Sequence, residues 1–164
     1  MSKKAPPEEF KARFCIIDDD PIVSSVMKAR LYAQFPDSII TSTTDPVVAP
    51  NHHVYLVDND FGGTRLAVHL LRQIRELNPN ALVIAMSSSL DQNALESLMN
   101  GGCNAIYNKS CPNQAKEVFE VIENYTNIIK NKHSLDHSSP LRGILNSLQA
   151  LIEQWNRRLA KDID

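Results

Sequence analysis

Short apolar runs alternate along the chain with segments whose apolar positions recur every three or four residues, the pattern of βα units around a parallel sheet. The first run, Phe14-Cys15-Ile16-Ile17, stops at Asp18-Asp19-Asp20-Pro21. Pro21 suits the first turn of a helix, and Ile22, Val26, Ala29 and Tyr32 or Ala33 share a face expected to meet the core. Phe35-Pro36-Asp37 ends that helix. Ser38 to Thr43, rich in β-branched residues, reads as a second strand. The connection Thr44 to His53 carries two prolines and has room for one helical turn at most.

Val54-Tyr55-Leu56-Val57 reads as a third strand, ending at Asp58. Phe61-Gly62-Gly63 reads as a loop, and a helix is expected from about Thr64 to Leu77. Its stripe is Leu66, Leu70, Leu71, Ile74 and Leu77, and Asn78-Pro79-Asn80 stops it. Ala81 to Met86 is the fourth strand and runs into Ser87-Ser88-Ser89. A short helix from Asp91 to Asn100 closes on Gly101-Gly102. Ala105-Ile106-Tyr107 is the fifth strand, just before Lys109, and a helix from about Asn113 to Ile129 completes five βα units. The expected fold class is α/β, a doubly wound sheet of five parallel strands in the order 2-1-3-4-5, plus a C-terminal helix.

The expected organisation is a disordered leader over 1–11, one domain over 12–130, a polar linker over 131–139 and an amphipathic helix over 140–164. Ser139-Pro140 suits the start of that helix. Leu141, Ile144 or Leu145, Leu148, Leu151 or Ile152, Trp155 and Leu159 form its stripe. A stripe that apolar needs something to pack against. We expect Leu141, Ile144, Leu148, Leu151 and Trp155 to bind a second copy of the chain, a kinase or an output protein.

Composition narrows the class. The chain has 164 residues, 43% apolar and 22% charged, with a net charge of -2. That balance gives no electrostatic reason to expect nucleic acid as a partner. No run approaches the roughly 18–20 apolar residues that span a bilayer, and MSKKAPPEEF lacks the apolar core of a secretory signal. Three cysteines without CxxC spacing make neither a disulfide framework nor a zinc site, so a reducing, cytoplasmic setting is expected. Cys15 reads as a core residue. The loop histidines His52, His53, His133 and His137 are expected to be solvated.

The chemistry lies at the strand ends. In a parallel α/β sheet, ligands bind outside the carboxyl ends of the strands. Here the first strand ends in Asp18 and Asp19, the third in Asp58, the fourth in Ser87 and the fifth at Lys109. With the order 2-1-3-4-5 these converge on one edge. Three carboxylates in one crevice repel each other unless a cation neutralises them, and oxygen-only ligands suit Mg²⁺. Lys109 and the Ser87 hydroxyl are groups to place around an incoming phosphoryl oxygen.

These motifs, FCIIDDDP, VYLVD, LVIAMS and GCNAIYNK, follow one another at intervals that each leave room for one βα unit. From about Arg13 to Ile129 the chain resembles the response-regulator receiver family, the CheY-like, flavodoxin-like domains of bacterial two-component phosphorelays. The resemblance implies that Asp58 is the phosphoacceptor, attacking a phosphohistidine on a histidine kinase or phosphotransfer protein. It implies Mg²⁺ held by Asp19, Asp58 and the main-chain carbonyl of Asp60, with Asp18 acting through metal-bound water. Lys109 would neutralise the phosphoryl charge, Ser87 would move toward it, and Ser88 would be the small residue after the switch serine. Ile106 takes the place of the family's switch aromatic, and Ser110 the place of a proline after the lysine. A regulator of this kind is not itself an enzyme and acts through protein contacts.

Two other readings compete. A pseudo-receiver would keep the fold and bind partners without phosphorylation. Asp58-Asn59-Asp60 after a buried strand also resembles the first motif of haloacid-dehalogenase-type phosphatases, but there the motif sits on the first strand and the metal-binding acids come late. Here the acid pair comes first.

Overall fold

Strands that are apolar on both faces need helices on both faces, and the chain supplies them in alternation. The computed structural model describes residues 10–111, 113–134 and 149–157. It contains β1 (Arg13–Ile17), α1 (Pro21–Gln34), β2 (Ile39–Thr43), β3 (Val54–Asp58), β4 (Asp60–Phe61), β5 (Thr64–Arg65), α2 (Ala67–Leu77), β6 (Leu82–Ser87), α3 (Gln92–Asn100), β7 (Ala105–Asn108) and α4 (Gln114–Ser134). A fifth helix, α5, spans 149–157. Five parallel strands lie in the order β2-β1-β3-β6-β7, the expected doubly wound topology. Every residue of β3 and β6 is buried, and β2, at one edge, is mostly exposed. The core includes Phe14, Cys15, Tyr55, Leu56, Ile84 and Ile106.

Crossover direction decides which face each helix covers. The chain steps from β1 to β2 in one direction and from β3 through β6 to β7 in the other, so right-handed connections put α1 opposite α2 and α3. The direction reverses between β1 and β3, which opens a crevice at their carboxyl ends. The connection 44–53 contains no helix, as its two prolines led us to expect.

Several elements differ from expectation. In α1 the buried residues are Ser24, Met27 and Leu31, while Ile22 is 74% and Val26 48% exposed. The helix carries two apolar stripes, and the one read from the sequence faces out. Asp20 accepts hydrogen bonds from the N–H groups of Ile22 and Val23, which starts the helix and fixes its rotation. No helix begins at Thr64. Gly62 and Gly63 both have positive φ (56° and 85°), and they join β4 to β5 as a two-residue hairpin. Helix α2 therefore starts at Ala67, and Leu77 is exposed. Helix α4 continues past Ile129 to Ser134, taking in residues expected to form the linker.

His52 is buried rather than solvated. Its Nδ1 donates to the Ala49 carbonyl at 3.3 Å and its Nε2 lies 2.9 Å from Thr41 Oγ1, pinning the 44–53 connection against β2. His53 accepts a hydrogen bond from the Arg13 N–H. The expected leader residues 1–9 lie outside the described residues, as do His137 and the helix positions Leu141, Ile144, Leu148 and Leu159.

Candidate functional site

Strand register alone brings the reactive side chains together. Ile17 pairs with Val57, so Asp18 and Asp58 leave neighbouring strands at the same level. Asp58 pairs with Met86, Ser87 pairs with Asn108, and the Lys109 N–H donates to the Ser87 carbonyl. Asp18 and Asp58 are almost completely buried, whereas Asp19 reaches solvent. Carboxylate oxygens of Asp18, Asp19 and Asp58 all lie within 4.8 Å of one another, close enough to share one cation.

Lys109 stands between the two buried acids. Its Nζ is 2.8 Å from Asp58 Oδ1 and 3.3 Å from Asp18 Oδ2. The Lys109 ammonium is the charge that faces the buried Asp58 Oδ1. One ammonium thus faces two buried carboxylates. Burial pushes the Asp58 carboxyl above its ordinary range, Lys109 draws it back, and the Asp18 charge raises it again. For Lys109, burial works against the charge, but the two carboxylates outweigh it and the net shift is upward. Three carboxylates against one ammonium leave an excess of negative charge, which fits a divalent cation with oxygen ligands.

The remaining ligand candidates are held by local chain geometry. Asp18 Oδ1 accepts the Asp20 N–H, and Asp19 Oδ2 accepts the Gly62 N–H at 2.8 Å. Asp60 sits in β4 opposite Arg65. The Leu66 N–H donates to the Asn59 carbonyl, so by the alternation of an antiparallel ladder the Asp60–Arg65 pair exchanges no hydrogen bonds. That leaves the Asp60 carbonyl outside the hairpin's own ladder, while its side chain accepts the Gly63 N–H.

Ser87 is buried, and its hydroxyl donates to the Ser89 carbonyl 3.0 Å away in a local turn. Ser88 is exposed, and its carbonyl accepts the Ser110 hydroxyl, which ties the two loops beyond β6 and β7 together. The loop after Lys109 is an Asx turn: Asn108 Oδ1 accepts the Ser110 N–H at 2.9 Å. Ile106 is fully buried in the core. Sequence reasoning missed three supports: the Gly62 N–H on Asp19, the Arg65–Asp91 ion pair at 3.1 Å, and the Asx turn at Asn108. The Gly-Gly pair flanked by Phe61 and Thr64 was the available signal for the first of these.

The C-terminal stripe does not present itself to a partner at Trp155. That side chain is 6% exposed, and its Nε1–H donates to the Ile106 carbonyl of its own domain; Leu151 is 41% exposed. No helix among the described residues is long and apolar enough to cross a membrane.

No family model and no curated protein matches the sequence. Among solved structures the chain is similar to the BeF3-activated DrrB receiver domain, with TM-score 0.61 and 14% identity over 72% of this chain and 99% of that one. It is similar to a CheY-like receiver domain protein from Methanospirillum hungatei, with TM-score 0.60 and 16% identity over 72% and 98%. The response regulator TrrA from Thermotoga maritima, in complex with Mg(2+)-BeF, matches with TM-score 0.57 and 18% identity over 70% and 98%. With the sheet order, the strand-end acids and the lysine in place, the chain has the fold of a response-regulator receiver domain.

Proposed function

We propose that this chain is a phosphoacceptor response regulator, phosphorylated on Asp58 in a Mg²⁺-dependent reaction by a histidine kinase or phosphotransfer protein. The observation that carries the reading is Lys109 Nζ lying between the buried carboxylates of Asp58 and Asp18. Structural support alone does not require two buried acids facing a lysine at the strand ends, because burying them is costly. Asp19, Asp58 and the Asp60 carbonyl would hold the ion, with Asp18 acting through its water. When bound, Mg²⁺ supplies positive charge to offset the phosphoryl oxygens and the acids.

A carboxylate oxygen of Asp58 attacks phosphorus as the bond to the donor nitrogen breaks, leaving an acyl phosphate. Lys109 then shifts its charge from the ionised carboxylate to a phosphoryl oxygen, and the Ser87 hydroxyl turns from Ser89 to the new group. The chain contributes position and charge, which is most of what phosphoryl transfer asks of a protein. The solved structure of TrrA holds Mg(2+)-BeF, and another matching regulator, from Burkholderia pseudomallei, carries a phosphorylated aspartic acid. Those sites make a phosphorylated Asp58 the natural counterpart here. Output is by protein contacts in the cytoplasm, and the chain is not itself an enzyme.

Intact-protein mass after incubation with phosphoramidate tests this. A single adduct that needs Mg²⁺ and is absent from Asp58→Asn is expected. A folded, Mg²⁺-saturated chain that takes up no phosphoryl group would instead be a scaffold. Catalytic release of phosphate from unrelated monoesters would point to a phosphatase.

A further inference from the structure

The chain enters β1 at the end of the sheet opposite the acids. On the β2 side this entry is held by backbone alone, the Ala12 carbonyl accepting the Ile39 N–H at 2.8 Å. On the β3 side the Arg13 carbonyl accepts the His53 N–H at 2.8 Å, but the Arg13 N–H donates to a side chain, His53 Nδ1, at 3.0 Å. A continued parallel ladder would use the Asn51 carbonyl there. Asn51 has φ of 65° and turns out of the strand, and the imidazole takes its place.

That hydrogen bond fixes the chemistry of the ring. A backbone N–H can only donate, so Nδ1 carries a lone pair and the proton of the neutral ring is on Nε2. A second proton has one place to go, Nδ1, which the Arg13 N–H already occupies. Protonation and this hydrogen bond exclude each other.

The surroundings favour the neutral ring. Burial is the largest cause of a His53 pKa below 6.5, and Arg13 of β1, His52 beside it and His133 of α4 lower it further. Phe10, in the segment before β1, packs against the His53 ring with centroids 5.3 Å apart and against His133 at 5.5 Å. Lys130 and Asp37, of opposite sign, line the groove beside Phe10. An aromatic face accepts an imidazolium as well as an imidazole. The Arg13 N–H, and not Phe10, is therefore the contact that responds to the proton.

We propose that His53 is a pH-sensitive clasp on the entry to β1: neutral, it holds the Arg13 N–H, and protonated on Nδ1 it releases that N–H and loosens the segment leading into the strand. The folded state disfavours the proton, so the clasp is closed above 6.5 and opens as pH falls through the lowered pKa. It lies at the opposite end of β3 from Asp58 and works whether or not Asp58 is phosphorylated.

The test is nuclear magnetic resonance of the native chain between neutral and mildly acidic pH, reading the His53 ring nitrogens and hydrogen exchange at the Arg13 amide. At neutral pH the ring should be the Nε2–H tautomer. As His53 takes up its proton, protection of the Arg13 amide, corrected for the intrinsic pH dependence of exchange, should fall about fivefold, the loss of one hydrogen bond. Mid-strand amides of β3 should keep their protection. His53→Asn supplies an oxygen acceptor that does not titrate, and Arg13 should then be equally protected at both ends of the range. An Nδ1–H tautomer at neutral pH would overturn the proposal, as would an Arg13 amide indifferent to the His53 titration in the native chain. A fall that persists in His53→Asn would assign the effect to His52 or His133 and overturn it too.

Discussion

Replacing Lys109 by methionine keeps the length of the side chain and removes its charge, leaving Asp18 and Asp58 buried with no cation. The ammonium is 2.8 Å from one acid and 3.3 Å from the other, and its side chain is only 15% exposed. Removing one partner of a buried ion pair costs about 3–5 kcal/mol. Asp18 keeps the Asp20 N–H as a partner, which places the loss toward the lower end, at about 3 kcal/mol. For a domain of this size that corresponds to a fall in Tm of roughly 6–12 °C.

The sign with pH follows from the charges. The Lys109 pKa is raised above 10.5 in the fold, so its stabilisation is fully present below that value and is lost only as pH rises through the folded one. The cost of Lys109→Met should therefore be near its maximum at neutral pH. It should shrink in acid, where the Asp58 carboxyl, its pKa raised by burial, takes up a proton. Urea unfolding at neutral pH with a chelator, repeated with Mg²⁺, is the assay. Mg²⁺ should recover much of the loss, because a divalent ion replaces the missing charge. A loss below about 1 kcal/mol, the scale of an exposed pair, or one that Mg²⁺ leaves unchanged would refute the reasoning.

Two further outcomes can be measured. Gly62 has φ of 56° with nothing within 4 Å of an added Cβ, so Gly62→Ala should cost about 1 kcal/mol through backbone strain alone. Gly62→Asn should cost less, and thermal unfolding of the two variants checks the order. Burial, with the nearby Arg13 charge adding to it, pulls the His52 pKa below 6.5. The folded state then disfavours the proton, so stability is full above 6.5 and declines as pH falls through that value toward the folded pKa. Denaturation of the native chain and of His52→Gln between neutral and mildly acidic pH should show the decline only in the former, after the common slope is subtracted.

Order and approximate bounds of the sheet elements were legible because β1, β3 and β6 are apolar runs bounded by acids, glycines or serines, a signal that local chemistry alone produces. Helix α1 shows where that signal ends. Ile22, Val26 and Ala29 recur at helical spacing as well as Val23, Met27 and Leu31 do, and only the sheet's position selects between them. The sequence period names a helix and leaves its rotation open when both faces are apolar. Thr64 and Arg65 were misread for a different reason: a helical stripe was extended backward through a Gly-Gly turn whose positive φ angles demand a hairpin.

The candidate site was legible in its first layer for a topological reason. A parallel sheet sends every strand's carboxyl end to the same edge, so an acid, a serine and a lysine at successive strand ends must meet if the strand order is right. What holds those side chains in place follows no such rule. Gly62 reaches Asp19 across 43 positions of chain, and Trp155 reaches Ile106 across 49. Neither contact has a periodicity or a motif, and both depend on the packing of segments outside the repeating βα unit. The hairpin and α5 are therefore the parts of this molecule where sequence pattern says least. The hairpin also touches Asp19 at the site, so substitutions there should alter cation binding while leaving the five-stranded core intact.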